Sequence, residues 1–124
     1  MRLPQLCFVL ASVTALGGMS LGIYMGIAQD HTLAPVHVHL NLLGWVSLFL
    51  FGLYYRAHDY VRGGLAHLQV VASACGYLSM MAGLAAMLLT GRVTYLPIAI
   101  TGSLLVWLGM LMFAIIVWRN RLHP

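Results

Sequence analysis

The sequence predicts an all-α membrane protein: one domain, residues 1–124, folded as a four-transmembrane-helix bundle with both termini in the cytoplasm. Three observations carry this expectation. The 124-residue chain is 62% hydrophobic and only 6% charged, against roughly 25% charged in a soluble domain. Four stretches, Leu3–Gln29, His31–Tyr55, Gly63–Gly91 and Val93–Trp118, contain no Asp, Glu, Lys or Arg. Each exceeds the ~20 residues that cross about 30 Å of hydrocarbon as a helix. Finally, every basic residue is an arginine, and the arginines are unevenly placed. Four antiparallel spans put Arg2, Arg56, Arg62, Arg119 and Arg121 on one side and Arg92 alone on the other, so the positive-inside rule sets the orientation. The net charge of +4 follows from this topology and points to no nucleic acid. The partner of so apolar a surface is lipid, and the expected location is a bacterial inner membrane.

The first helix is expected over about 3–28. Its apolar run is longer than the 7–15 residues of a signal-peptide core and has no clean small-x-small cleavage site, so it reads as a retained anchor. Gly18, Gly22 and Gly26, with Ala11 and Ala15, form a small-residue stripe suited to close helix packing. Met19 and Met25 are placed on one half of this helix. After the short loop Gln29–Ala34, Pro35 occupies a favoured first helical position, and the second helix is expected over about 35–56.

The third helix, about 65–90, carries Gln69, Ser73, Gly76, Met80, Gly83 and Met87 along one face, which predicts an interior face. The fourth, about 95–118, has Gly102 and Gly109 as its packing stripe. Tyr54, Tyr55, Tyr95 and Trp118 fall where interfacial aromatics are expected. Cys7 and Cys75 sit at different depths, so no disulfide is expected between them, and each reads as a small apolar residue.

The candidate functional stretch is Pro35-Val36-His37-Val38-His39-Leu40-Asn41-Leu42-Leu43-Gly44-Trp45, at the outer end of the second helix. Polar groups taken out of water are costly, so ionisable residues in a membrane segment mark a candidate site. Imidazoles there are the ligands of b-type haem or of copper. At about 100° per residue the rings of His37 and His39 point roughly 160° apart, so they serve different neighbours. His37 shares its face with Asn41, Gly44, Leu48 and Tyr55. His39 projects beside Val46 and Leu50, an otherwise lipid-like face, which calls for a second protein surface and hence a homo-oligomer. His67 belongs to a helix running the other way and lies about 20–25 Å from His37, too far to share one iron, and reads as structural. Within one chain, Met25, Met87 and His31 are the remaining groups at a suitable depth. A histidine of a second copy is the other source of an opposite ligand. His31, His58 and His123 are expected to be exposed.

The segment Ala34–Trp45, with its His37-Val38-His39 pair and Asn41, resembles the histidine-bearing helices of haem-copper oxidase subunit I and related nitric oxide reductases, and more closely the short four-helix proteins labelled subunit-I-like. In that family the large subunit has three four-helix arcs, and one His-x-His pair serves two different haems. The resemblance implies haem b held between subunits by His37 and His39, and a trimer, rather than a dimer, mimicking the three arcs. The chain departs from the family in having no second histidine pair for a copper centre and no His-x-x-x-Tyr pattern. The expected function is therefore a haem b protein for electron transfer or for binding O2 or NO. His37 and His39 are its ligands, Asn41 supports them, and Met25 and Met87 are reserve ligands. The alternatives are a copper-binding or copper-transporting protein, with Met19, Met25, Met80 and Met87 along the path, and a structural accessory subunit of a respiratory complex. The only carboxylates, Asp30 and Asp59, lie in loops, so acid–base catalysis has little to work with, and no redox partner is named by the residues.

Overall fold

Apolar segments that leave water must satisfy their backbone polar groups internally, and a helix does this within one segment. The computed structural model describes residues 1–61 and 63–121, and among them there is no strand. The four helices are α1 (Leu3–Ala28), α2 (Ala34–Ala57), α3 (Gly64–Thr90) and α4 (Leu96–Asn120), the last preceded by a 3₁₀ turn over Val93–Tyr95. All four are long and apolar enough to cross a membrane, as a multi-pass membrane protein requires. Arg62 and His123, which the sequence reading used for orientation and placed at the surface, lie outside the described residues.

The helix ends follow local chemistry. Pro4 and Pro35 stand in the first turns of α1 and α2, where a missing N–H costs nothing. α3 ends at Gly91 with φ 68°, whose N–H is donated to the Met87 carbonyl. α1 ends at Gln29, also left-handed at φ 52°, whose side-chain amide donates to the Gly26 carbonyl at 2.6 Å. A terminal carbonyl is satisfied in each case.

One departure from regular helix was not foreseen. Within α2, Leu40–Ser47 is π-helical, between α-helical Ala34–His39 and Leu48–Ala57. Ser47 Oγ donates to the Leu42 carbonyl five residues back, at 2.8 Å. The wider turn changes the rotation between the histidine end of α2 and its remainder.

α1 packs along α2, and α3 along α4, while α2 also touches α3. The start of α1, end of α2, start of α3 and end of α4 meet at one end of the bundle, called here the terminal end. The α3–α4 contact depends on small residues. A Cβ on Gly76 would lie 2.8 Å from the Val106 backbone nitrogen and 3.0 Å from the Gly102 carbonyl oxygen. Gly83, Gly102 and Gly109 are equally confined, Gly109 by Ser73. This is close backbone approach of the kind membrane helices use, and it bears out the interior face read for the third helix at Gln69, Ser73, Gly76 and Gly83, all buried.

Aromatic rings fill the terminal end. Phe51 of α2 meets Phe113 of α4 at 4.6 Å between centroids, and Asn120 donates to the Tyr54 hydroxyl at 3.0 Å. Tyr55 is not an interfacial aromatic as expected: it is 2% exposed, because its hydroxyl finds a buried acceptor in Gln69 Oε1 at 2.9 Å. His58 is not simply solvated either, since its ring is half-buried and stacks on Tyr54 at 4.3 Å. Cys7 is buried, Cys75 is exposed, and both are free thiols. Large apolar side chains such as Leu16, Ile23 and Trp107 face outward, a surface that a bilayer covers.

A side chain at Gly76 meets backbone on both sides, which has little room to move. Gly76→Leu should therefore destabilise the bundle by about 2 kcal/mol or more, read by denaturant or thermal unfolding in detergent. Gly26, which has open space around it, should accept alanine without loss.

Candidate functional site

The geometry of the histidine stretch begins in the loop before it. Asp30 accepts hydrogen bonds from the Thr32 hydroxyl at 2.6 Å and the Thr32 N–H at 3.0 Å. These donors, the hydroxyl first, hold the Asp30 carboxyl below its ordinary range. The Ala34 N–H bonds to the His31 carbonyl at 3.0 Å, closing the turn that leads into α2.

His37 points at α1. Its Nδ1 lies 2.8 Å from the Gly18 carbonyl oxygen. A carbonyl can only accept, so Nδ1 carries the hydrogen, and in the neutral ring the lone pair is left on Nε2. The ring lies where a Cβ on Gly22 would be, 2.8 Å from Cε1 and 3.3 Å from Nδ1. One turn on, the Asn41 carboxamide occupies the corresponding notch at Gly18, where a Cβ would be 2.6 Å from Oδ1. Asn41 Nδ2 donates to the His37 carbonyl at 2.8 Å. It also lies 3.4 Å from His37 Nδ1, but that nitrogen's hydrogen is already directed at Gly18.

Two glycines four residues apart on α1 thus receive two polar side chains four residues apart on α2. The same antiparallel register continues with the roles exchanged. Gly44 of α2 receives Thr14 and the edge of Tyr77, and Gly52 receives Phe8 and Cys7. Tyr77 and Thr14 hydroxyls are 2.9 Å apart and buried. Since Thr14 donates to the Leu10 carbonyl at 2.7 Å, Tyr77 is the donor in that pair. The face expected to carry His37, Asn41, Gly44, Leu48 and Tyr55 does turn inward, with Gly44, Leu48 and Tyr55 buried and the two polar residues half-buried.

His39 turns elsewhere. Its Nδ1 is 2.7 Å from the Pro35 carbonyl of its own helix, so Nδ1 again carries the hydrogen and Nε2 keeps the lone pair. The ring is half-buried, and Val46 and Leu50 on the same helix are exposed. His37 and His39 therefore present the same nitrogen to different surroundings, one beside α1 and one toward the outside of the bundle.

The remaining candidates are dispersed. Met25 is buried on α1, within a turn of Gly22, and Met87 is half-buried in the last turn of α3, both suitable as packing side chains. Met19 is 47% exposed and Met25 5%, so of the two only Met25 packs inside the bundle. His31 is exposed. His67 is exposed at the terminal end, with Nδ1 3.2 Å from the Gly63 carbonyl, the far end of the bundle from His37. Among the described residues no three His, Cys, Asp or Glu side chains converge as a metal-holding group. The chain offers a pair of imidazoles on one helix.

Three contributors were not read from the sequence as parts of a site: Gly18, Gly22 and the Tyr77–Thr14 pair. The glycines were visible as a packing stripe, but their partners depend on the register of α2 against α1. No family model matches the chain, and no curated protein or solved structure matches it significantly.

Gly22→Ala should push the His37 ring off the Gly18 carbonyl and cost about 1–3 kcal/mol of stability, measured by unfolding in detergent. Nitrogen-15 spectra of His37 should report the Nδ1–H, Nε2-unprotonated tautomer in the neutral ring. The opposite tautomer would contradict the hydrogen bond described.

Proposed function

We infer that the chain is a haem b-binding membrane protein, serving electron transfer or the binding of a diatomic gas, with His37 and His39 as axial ligands. The observation that carries this reading is the Nδ1–H···O=C bond from His37 across to Gly18 of α1; His39 is held by Pro35 in the i−4 manner that His58 and His67 also show. Each orients its ring and directs the Nε2 lone pair away from the backbone. A ligand histidine commonly has its other nitrogen held in this way, which fixes the tautomer and raises the basicity of the ligating atom. The chemistry of this donor set fits haem iron, which needs only one or two axial side chains.

His37 is held at two levels. The Gly22 notch sets the position of the ring, and the Gly18 carbonyl sets its rotation. Asn41 ties its amide to the His37 carbonyl and fills the adjoining notch, so the backbone beneath the ligand is held as well. Haem b held by both His37 and His39 would supply one-electron redox chemistry, and held by one of them alone it would bind O2 or NO. The two rings face different surroundings, which supports a group shared between copies of the chain. The resemblance of Ala34–Trp45 to haem-copper oxidase subunit I supports three copies rather than two. On the same reading the terminal end is cytoplasmic, by the weight of Arg2, Arg56 and Arg119 there, the histidines lie at the outer rim, and the membrane is a bacterial inner membrane.

The test is a reduced-minus-oxidised spectrum of protein purified from haem-replete cells. The expected result is a b-type Soret and α band. His37→Ala and His39→Ala should each lower haem occupancy at least tenfold, and Asn41→Ala should shift the spectrum or lower occupancy less. Absence of the bands would overturn the reading, as would full occupancy in both histidine variants. Copper retained without haem would favour a copper protein, and neither cofactor with assembly intact would favour an accessory subunit.

A further inference from the structure

We propose that the terminal end carries a binding site for the phosphodiester headgroup of an anionic phospholipid, seated between Arg2 and Arg56. This site is independent of His37 and His39 and of any cofactor. α1 and α2 run antiparallel, so the first residues of one lie beside the last residues of the other. A cavity of about 430 Å3 opens between them, lined by Arg2, Pro4, Gln5, Phe8, Arg56 and Asp59. Both guanidinium-bearing residues are exposed. A second cavity of about 170 Å3 shares Arg2, Pro4 and Asp59 with it and adds the N-terminal residue Met1.

Charge and shape both select the occupant. Two arginines against one carboxylate leave an excess positive charge, and arginine's planar fork matches phosphate oxygens. The first turn of α1 carries no acidic residue, so the positive end of its dipole adds to the field. Gln5 accepts the Arg2 N–H through Oε1 at 3.2 Å, which leaves its amide hydrogens free of that bond. Immediately below, the lining turns apolar. Phe8 packs into the notch at Gly52, where a Cβ would be 2.7 Å from its Cε1, and meets Phe49 at 5.2 Å, and Phe49 is exposed. A charged mouth above an aromatic ridge on the outer surface suits a molecule with an anionic head and a hydrocarbon tail. A free phosphate would use the mouth alone, so the shared chemistry is a phosphate anion, and the ridge favours the lipid.

The experiment uses the full chain in neutral detergent, titrated with dioleoyl phosphatidylglycerol, dioleoyl phosphatidylcholine or inorganic phosphate. Thermal unfolding and native mass spectrometry of retained lipid are the readouts. Phosphatidylglycerol should raise the midpoint and remain bound, phosphatidylcholine should do so more weakly, and inorganic phosphate should do neither. Each arginine near a membrane surface contributes about fivefold in affinity for anionic lipid. Arg2→Gln and Arg56→Gln should each weaken the phosphatidylglycerol effect by about that factor, and the double variant by about thirtyfold. Arg2→Lys with Arg56→Lys should restore part of it, and Arg92→Gln, at the other end, should change nothing. Equal effects of the two lipids would overturn the proposal, as would a preference unchanged in the double variant or an effect reproduced by phosphate alone.

Discussion

The structure depends on the close approach of α1 and α2, with an imidazole and a carboxamide between them. An imidazole inside an apolar bundle needs a polar partner, or the cost of its desolvation falls on the fold. Here the partner is a backbone carbonyl, that of Gly18, and it is reachable only because Gly22 has no side chain to keep the ring away. Asn41 uses the same device one turn along. The small-residue stripe therefore does two things at once. It lets the backbones approach, as in other membrane helix pairs, and it opens a donor–acceptor surface that side chains would otherwise cover.

The same logic extends through the bundle. Tyr55 donates to Gln69, whose amide donates to Ser73 at 3.2 Å, all buried. Tyr77 donates to Thr14 at the next level of α3. Among the described residues no buried side-chain nitrogen or oxygen lacks a partner. Because water cannot substitute for a missing partner in hydrocarbon, these pairs also act as register marks: sliding α3 by one turn would separate Gln69 from Tyr55 and Tyr77 from Thr14 together. The π-helical stretch of α2 lies between Tyr55 and the histidines and carries Gly44, the notch that receives Thr14 and Tyr77. It spans the residues where α2 changes from presenting polar side chains to glycines on α1 to presenting Gly44 and Gly52 to the side chains of α1.

Much of the fold was legible because a transmembrane helix is specified by a local property, the length of an uncharged apolar run. The four helices end within two residues of their expected limits, since Pro35, Gly91 and the charged loops act locally too. The inward direction of His37 followed from helical periodicity, which holds in the α-helical turn where it sits, and Asn41 keeps the same side at the start of the π-helical stretch. Tyr55 was misplaced because an aromatic near a helix end looks the same whether it faces headgroups or a buried glutamine. His58 was misplaced because the spacing from Tyr54, one helical turn, does not say whether its ring folds back onto Tyr54 or turns to solvent. Met19 and Met25 were grouped on one half of α1, but Met25 is buried and Met19 exposed.

By itself the sequence determined that this chain forms four helices suited to a bilayer, with two imidazoles at the end of the second and most arginines at the opposite end. Those properties are sums over neighbouring residues, and hydrocarbon thickness and charge solvation act on them directly. Only the tertiary structure decided that Gly18 accepts from His37, that Gly22 makes the space, that Asn41 supports the helix beneath it, and that Arg2 and Arg56 share a cavity. Each of these depends on the rotation and axial offset of one helix against another. Those are set by the whole set of side chains and notches that must fit at once, and no single stretch of residues encodes them.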